Sequence, residues 1–433
     1  MNINIVLPIA VLLFLALFNV PIWGCVVSAS LTYMMFLDPM LPTKIVVQRI
    51  LAMCDNQSYL AIPFFVTAGC LMNYSGISRR LMDFADSLVG HMTGGLAQVN
   101  CVLSVLMGGI SGSSAADAAM EAKILVPEMV RHGYDLEYSA AVTLASSMVT
   151  PIIPPGMGLI VYAFMTGTSV GRLLAAGYLP GIVLTVSFMI YVHFTSKKRG
   201  YKGDRDHMCS LKEIGKQFVK SIWALLMPFG IIMGLRFGIF TADEAGSFCA
   251  VYSLLVGLFI YKEFDFKKHF WPCLEESIQG TATVMMLICG ANAFSYYLTY
   301  MRIPNKLTES ILSTQPSKTA FMLLTIGILI LLGMVMDSST PLVILAPMLA
   351  PIAAELGLDP VMYGLCFCFT ISLGNMTPPF GIVLYQVAGL LQVPLTRLSK
   401  IIIPYCLIMI TVLLICAFVP GFVTFIPNLI YGA

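Results

Sequence analysis

Long apolar segments dominate the sequence and limit what the chain can fold into. Seven such segments precede a polar stretch at 195–221, and seven more follow it. A helix needs about 20 mostly apolar residues to cross a bilayer, and these segments approach or exceed that length. Only 11% of the residues are charged, whereas a soluble domain carries about 25%. The sequence therefore predicts an all-α polytopic membrane protein, and its near-neutral charge argues against nucleic-acid binding.

The two sets of segments are related by a constant offset of 224 residues. Seven residues recur without a gap: Gly109, Ser114, Pro127, Gly133, Asp135, Pro154 and Pro155 correspond to Gly333, Ser338, Pro351, Gly357, Asp359, Pro378 and Pro379. This agreement indicates an internal duplication. Each half makes five crossings if its hairpin is re-entrant or seven if the hairpin spans, and both numbers are odd. The second half is therefore expected to be inverted relative to the first, as in secondary transporters.

These patterns divide the chain into two inverted-topology repeats and a linker. The first repeat, 1–194, holds scaffold helices at 1–94, a re-entrant hairpin at 95–131 and a proline-broken helix at 138–165. The second repeat, 222–433, holds scaffold helices at 222–300, a hairpin at 319–355 and a broken helix at 361–388. The linker, 195–221, contains eight Lys and Arg residues, and loops on its side carry 16 against 5 on the other side. The linker is therefore predicted to be cytoplasmic and both termini to lie outside.

Proline pairs interrupt the long segment that follows each hairpin. Pro154 and Pro155 lack the amides that would bond the carbonyls of Thr150 and Pro151, and Ile153, which precedes a proline, is pushed out of the helical region. Non-helical backbone at membrane depth is tolerated only where it is buried in protein or lines a wet cavity. Freed carbonyls beside hydroxyl groups form an oxygen-only site that suits Na⁺ better than a transition metal.

The second half repeats this pattern. Pro378 and Pro379 free the carbonyls of Gly374 and Asn375, and Thr377 precedes the proline pair. The second break therefore offers oxygen ligands of the same kind as the first.

The hairpin tips provide a complementary anion site. The second limb of each hairpin starts with free amides, at 115–118 and 339–342, which carry partial positive charge. With nearby hydroxyls, these amides can bind a carboxylate without a buried arginine. The predicted substrate-binding residues are Ser113, Ser114, Asp337, Ser338, Ser339, Thr340 and Asn375.

Acidic residues near the tips have more than one interpretation. Asp117 and Glu121 lie at membrane depth, where such groups are functional by default. An ion pair with Lys123, or capping of the second limb by Asp117, is the structural alternative. Asp337 either joins the substrate site or caps its own hairpin limb.

Five stretches form a specific combination of motifs. They are LAIPFFV at 60–66, SGSSAAD at 111–117, PIIPP at 151–155, GMVMD at 333–337 and TPP at 377–379, with Gly69, Met72 and Asn73 after the first. This combination resembles the large membrane subunit of tripartite ATP-independent periplasmic (TRAP) transporters, over essentially the whole chain. The sequence departs from the family pattern at Ser114, where many relatives carry Ala, and at Asn375 and Met376.

The resemblance implies an elevator-type Na⁺-coupled symporter of the bacterial inner membrane, which makes the predicted outside termini periplasmic. It implies a small four-helix membrane subunit on another polypeptide. It also implies a periplasmic binding protein that delivers a small carboxylate, such as sialic acid or a C4-dicarboxylate, or a sulfonate. By this likeness one Na⁺ lies among Ser111, Ser114, Ile153 and Gly156, and the other among Gly333, Gly374, Thr377 and Phe380. Thr150 joins the first set, because Pro154 lacks the amide that would bond its carbonyl.

Two other functions stay open at this point. One is a stand-alone ion-coupled carboxylate symporter or antiporter that needs no binding protein. The other is an ion channel, although dead-end hairpins favour an occluded site over a pore. No HExxH motif occurs in the sequence, so the chain is expected not to be an enzyme.

Overall fold

The fold is all-helical. The computed structural model describes residues 7–8, 10–12, 14–15, 18, 20–38, 42–55, 61–108, 112–203, 207–237, 239–302, 306, 316–335 and 338–432. Nineteen α-helices have their bounds within these residues, and no strand occurs among them. In chain order they are α1 Ile22–Thr32, α2 Lys44–Cys54, α3 Ala61–Tyr74, α4 Ile77–Val89, α5 Gly95–Gly108, α6 Ser114–Arg131, α7 Leu136–Ser147, α8 Met157–Thr166, α9 Val170–Ala176, α10 Tyr178–Arg199, α11 Leu211–Arg236, α12 Ala242–Leu255, α13 Phe266–Tyr300, α14 Lys318–Val335, α15 Ser339–Glu355, α16 Pro360–Met376, α17 Ile382–Leu391, α18 Leu395–Phe418 and α19 Pro420–Tyr431.

The helices that follow the two hairpin tips keep the offset seen in the sequence. α6 and α15 end 224 residues apart, and so do the starts of α7 and α16. Between these helices, Gly133 and Gly357 have φ values of +84° and +73°, which favour glycine. Each proline pair, Pro154–Pro155 and Pro378–Pro379, contains a cis peptide bond. The local geometry thus follows the sequence repeat, while the inverted orientation of the halves stays a prediction.

Apolar helices suited to a bilayer occur in both halves. Within the described ranges, three helical stretches are long and apolar enough to cross a membrane. They are α9 together with α10 (Val170–Arg199), α13 (Phe266–Tyr300) and α18 (Leu395–Phe418). Eight shorter apolar helices accompany them. The apolar segments at 138–165 and 361–388 are each divided into two helices, which is why neither forms one continuous span.

Two groups of helices face each other across a central cavity. In the first group, α3 packs against α12 and α13, and α13 also contacts α1 and α2. The second group is built from the hairpins and broken helices: α6 packs on α7, α14 on α16, and α15 on α8. Its interior is closely filled, with Tyr162, Tyr363 and Phe367 each 1% exposed. The cavity lies where α3 and α13 approach the two hairpins.

An ion pair joins the two halves near the starts of α7 and α18. The Arg397 guanidinium donates to Glu137 Oε1 at 3.0 Å. A hydrogen bond from the backbone amide of Glu137, followed by the bond from Arg397, holds the pKa of this carboxyl below its usual value. The pair therefore favours the charged form of Glu137 in the folded protein.

We expect this pair to make stability depend on pH. Because the pKa of Glu137 is lower in the folded protein, its stabilisation is present above the unfolded value of about 4.3 and is lost as the pH falls through the folded value. Exposed pairs contribute less than about 1 kcal/mol. Glu137→Gln should therefore lower the melting temperature in detergent slightly at pH 7 and leave it unchanged at pH 3. The control is Glu128→Gln, which removes contacts with Arg131 and His132 at the C-terminal end of the same helix, α6; an equal effect of Glu137→Gln at both pH values would contradict the assignment.

Candidate substrate and cation site

The tip of the first hairpin is a tight turn that docks on the first break. Gly112 has a φ of +57°, and its carbonyl accepts a hydrogen bond from the Met157 amide at 3.4 Å. Ser113 is extended and caps α6 by accepting a hydrogen bond from the Ala116 amide at 3.5 Å. A β-carbon on Gly112 would lie 2.6 Å from the carbonyl oxygen of Pro155. Glycine at this position therefore lets the tip reach the break.

The first break, 148–156, leaves several carbonyls without the hydrogen bonds of a helix. Within the described part of the chain, no residue donates a hydrogen bond to the carbonyl of Thr150, Pro151 or Ile153. These are the carbonyls that were predicted to be free, because proline lacks an amide and restricts the residue before it. Thr150 and Ile153 are also buried, at 0% and 3% exposure. The break thus offers carbonyl oxygens, the ligand type that hard cations prefer.

The second hairpin meets its own broken helix through small residues. The Asn375 Nδ2 group donates to Ser338 Oγ at 2.5 Å, which ties the tip to the end of α16. A β-carbon on Gly374 would lie only 2.7 Å from the Cα atom of Gly333. The backbones of α14 and α16 therefore touch at this pair of glycines.

The second break is tighter than the sequence predicts. The Gly374 carbonyl, expected to be free, accepts a hydrogen bond from the Thr377 amide at 3.1 Å, and the Thr377 carbonyl accepts one from the Gly381 amide at 3.1 Å. Turn hydrogen bonds at the end of α16 replace the helical bonds that the prolines remove. Each of these carbonyls keeps one lone pair for another ligand, while the Asn375 carbonyl accepts no hydrogen bond from any residue that the structure describes.

A cavity of about 440 Å³ lies between the two tips and the first helix group. Small-molecule sites commonly measure about 300–1,000 Å³. Its polar lining residues are Asn73, Ser113, Ser114, Glu276, Thr283, Ser338, Ser339, Ser372 and Asn375. No Lys, Arg or His lines it within the described ranges. An anion here would have to be held by hydroxyls, amides and helix N-termini.

The structure brings most of the predicted substrate residues together in this cavity. Those that line it are Ser113, Ser114, Ser338, Ser339 and Asn375. Thr340 differs, because it is 1% exposed and is not among the lining residues. A helix turns by about 100° per residue, so the residue after Ser339 faces another direction. Ser111 and Asp337 lie outside the described residues, and Phe380 is 58% exposed at the edge of the second break.

Asp117 and Glu121 are buried without the ion pair considered from the sequence. They are 1% and 0% exposed, whereas Lys123 is exposed because it leaves α6 on a different face. The Thr150 hydroxyl donates to Asp117 Oδ2 at 2.5 Å. The cap of α6 is Ser113, so Asp117 does not have that role either.

The cavity wall that α3 and α13 provide was not predicted from the sequence. Asn73, Glu276 and Thr283 line the cavity from these helices. The Tyr74 hydroxyl donates to Glu276 Oε1 at 2.7 Å and so joins the two helices. Glu276 was the available signal, because it is an acidic residue next to a long apolar segment.

The fold and the site together define a class of protein. An all-helical bundle that holds a small-molecule cavity between two hairpin tips, each beside a broken helix, is a membrane transporter. The chain belongs to the family described as "Tripartite ATP-independent periplasmic transporter, DctM component", whose model matches residues 9–422. The family consists of transporter permeases and is not a known class of enzymes.

Similar proteins extend over most of the chain. The sialic acid TRAP transporter large permease protein SiaM of Vibrio cholerae is 33% identical over 390 residues, which are 89% of this chain and 90% of SiaM. The isethionate TRAP transporter permease protein DctMQ of Oleidesulfovibrio alaskensis is 33% identical over 382 residues, which are 88% of this chain and 60% of that protein. The family resemblance seen in the sequence is thus confirmed.

A solved structure shows the same fold. The YdaH transporter of Alcanivorax borkumensis matches with a TM-score of 0.62 at 13% identity, and the match covers 87% of each chain. At this identity the likeness concerns the fold alone. It supports an all-α membrane transporter fold.

Proposed function

We propose that this chain imports a small organic acid into a bacterium by Na⁺-coupled secondary transport across the inner membrane. The observation that carries the proposal is the cavity that both hairpin tips line. A carboxylate or sulfonate in this cavity would accept hydrogen bonds from the serine hydroxyls and from the amides that begin α6 and α15. The substrate class rests on these donors and on the sialic acid and isethionate relatives; a C4-dicarboxylate is the third candidate.

Two Na⁺ ions would couple to this substrate through the breaks. The free carbonyls of Thr150 and Ile153 lie directly behind the first tip, where a cation would attract both the break and the bound anion. Behind the second tip, Gly333 packs against Gly374, and the carbonyls of Gly374 and Thr377 each keep one lone pair for a cation. Binding of Na⁺ would therefore order the tips first, and the substrate would follow.

Alternating access would come from the second helix group moving against the first. The cavity lies between these groups, with Glu276 and Asn73 on one wall and the tips on the other. A displacement of the tips along α3 and α13 would carry the substrate across the membrane as an elevator does. This arrangement favours a transporter over an ion channel.

We infer two partner proteins. The family is tripartite by its description, so a periplasmic binding protein would deliver the substrate. The isethionate permease DctMQ is longer than the part that matches this chain, and we infer that a small membrane subunit of four helices belongs to the complex.

Uptake into liposomes tests this function. The chain and its small subunit would be reconstituted, and uptake of labelled sialic acid, succinate and isethionate measured with and without an inward Na⁺ gradient and the cognate binding protein. We expect uptake of one substrate to fall by roughly tenfold or more when either the gradient or the binding protein is omitted. Uptake that is unchanged without the binding protein would favour the stand-alone symporter. Uptake that is unchanged without the Na⁺ gradient would contradict both proposed cation sites.

A further inference from the structure

A polar network fills the interior of the first half, away from the substrate cavity. Its seven side chains are each no more than 1% exposed: Asn100, Ser104, Asp117, Glu121, Thr143, Ser146 and Thr150. The Asn100 amide group donates to Thr143 Oγ1 at 2.7 Å, and the Ser146 hydroxyl donates to Asn100 Oδ1 at 2.8 Å. The network continues from Ser146 to the carboxylates on α6.

Hydroxyl oxygens lie within hydrogen-bond distance of three of the four carboxylate oxygens. Ser104 Oγ donates to Glu121 Oε1 at 2.8 Å and Ser146 Oγ lies 3.3 Å from Glu121 Oε2. The Thr150 hydroxyl donates to Asp117 Oδ2 at 2.5 Å. The fourth oxygen, Oδ1 of Asp117, is buried and has no hydrogen-bond partner. This oxygen therefore points to a ligand that completes the network.

The network holds two acidic groups and no described basic side chain. Asp117 and Glu121 are four residues apart on α6, so they lie on the same face of the helix. Burying two like charges without compensation is very costly. A positive ion beside both groups removes most of this cost.

We propose that Asp117 and Glu121 bind one Na⁺ ion at a third cation site, distinct from the two at the hairpin tips. The oxygens available to the ion are the Asp117 carboxylate, the Thr150 hydroxyl, the Ser104 carbonyl, which lies 3.3 Å from Thr150 Oγ1, and the Glu121 carboxylate. All are hard ligands, which suit Na⁺. Within the described residues, no group of three His, Cys, Asp or Glu side chains forms a site for a multivalent metal. The nearby C-terminal end of α5 adds partial negative charge.

The repeat shows that the hairpin fold does not require these carboxylates. The 224-residue offset places Pro341 and Leu345 where the first half has Asp117 and Glu121, and Ile328 where it has Ser104. The second hairpin forms its second limb, α15, with these apolar residues. The acidic pair therefore serves a function of the first half alone.

An ion at this site would have a structural consequence. Glu121 also borders a second cavity of about 720 Å³, together with Arg79 and Lys123. Thr150 joins the ion to the first break. An ion bound here would hold α6 against the break and stabilise the docked hairpin.

Equilibrium binding of ²²Na⁺ to the purified full-length protein, without substrate, tests the site. We expect Asp117→Asn and Glu121→Gln each to bind one Na⁺ ion fewer per chain than the wild type, or to bind it with roughly tenfold lower affinity or worse. The matched control is Ser147→Ala in the same helix as Ser146, because the Ser147 hydroxyl donates only to its own helix at the Leu144 carbonyl. The control should bind the wild-type number of ions.

The number of Na⁺ ions bound per chain distinguishes a failure of this site from a failure of the proposed transport function. If the hairpin-tip sites did not bind Na⁺, the total would fall in every variant, and the difference of one ion between wild type and Asp117→Asn would persist. If the counts were equal in wild type and both acidic variants, the pair would be neutralised by protons and the proposal would be wrong. Glu121→Gln can keep a hydrogen bond with Ser104, so it provides the comparison even if Asp117→Asn does not fold.

Discussion

Replacement of Gly112 by valine should abolish transport while most of the fold persists. The φ of +57° at this residue is strained for any β-branched side chain. The new β-carbon would also lie 2.6 Å from the Pro155 carbonyl oxygen and 2.9 Å from the Met157 amide nitrogen. Both are backbone atoms, so they cannot rotate away as a side-chain end can. The tip would have to leave the break and take the hydroxyls of Ser113 and Ser114 out of the cavity.

We expect the initial rate of uptake into proteoliposomes to fall by roughly 100-fold, because a displacement of about 1 Å at a functional site has effects of this size. The matched control is Gly167→Val. Gly167 has a similar φ of +71°, and a β-carbon there would meet no atom within 4 Å. Gly167→Val therefore introduces a similar backbone strain but no steric clash. Equal uptake by the two variants would show that the tip does not dock on the break.

Replacement of Gly374 by alanine should destabilise the second half. Its β-carbon would lie 2.7 Å from the Cα atom and 2.9 Å from the carbonyl carbon of Gly333, so α14 and α16 would have to separate. Overpacking of this kind costs about 1–3 kcal/mol. Helix propensity alone would make the alanine variant more stable, because alanine is more favourable than glycine in a helix by about 1 kcal/mol. A loss of stability would therefore report the contact between the helices.

The melting temperature in detergent, measured with and without Na⁺, is the appropriate readout for Gly374→Ala. We expect a lower melting temperature and a smaller rise on addition of Na⁺, since both glycines belong to the second predicted cation site. Gly327→Ala is the control within α14, because a β-carbon there would meet no atom within 4 Å. It should leave the melting temperature unchanged or raise it. A stabilised Gly374→Ala variant would contradict the close approach of α14 and α16.

Proline chemistry explains why part of the site could be read from the sequence. The free carbonyls of Thr150 and Ile153 follow from a missing amide and a steric restriction, and both effects act within four residues. The Gly374 carbonyl was also predicted to be free, but it accepts a hydrogen bond from the Thr377 amide at 3.1 Å. A terminal turn at the end of a helix depends on how that helix packs, and the proline pair alone does not reveal it.

The acidic pair, Asp117 and Glu121, shows a different limit of prediction from the sequence. The sequence placed Asp117 and Glu121 at membrane depth but could not choose between an ion pair, a cap and a functional site. The choice depends on Ser104 and Thr150, which belong to other helices or to the break. Only their positions in space show that hydroxyls surround the carboxylates and that one oxygen of Asp117 stays unpartnered.

Composition and local pattern were sufficient for the class of protein and the family, and they predict the duplicated halves. These properties depend on apolar length, on residue identity at a fixed offset and on short motifs, all of which are present along one dimension of the chain. The shared cavity, the wall formed by α3 and α13, and the buried network depended on the packing of helices that are far apart in the sequence. Contacts such as Tyr74 with Glu276 join residues 202 positions apart, and only the folded chain brings such residues together.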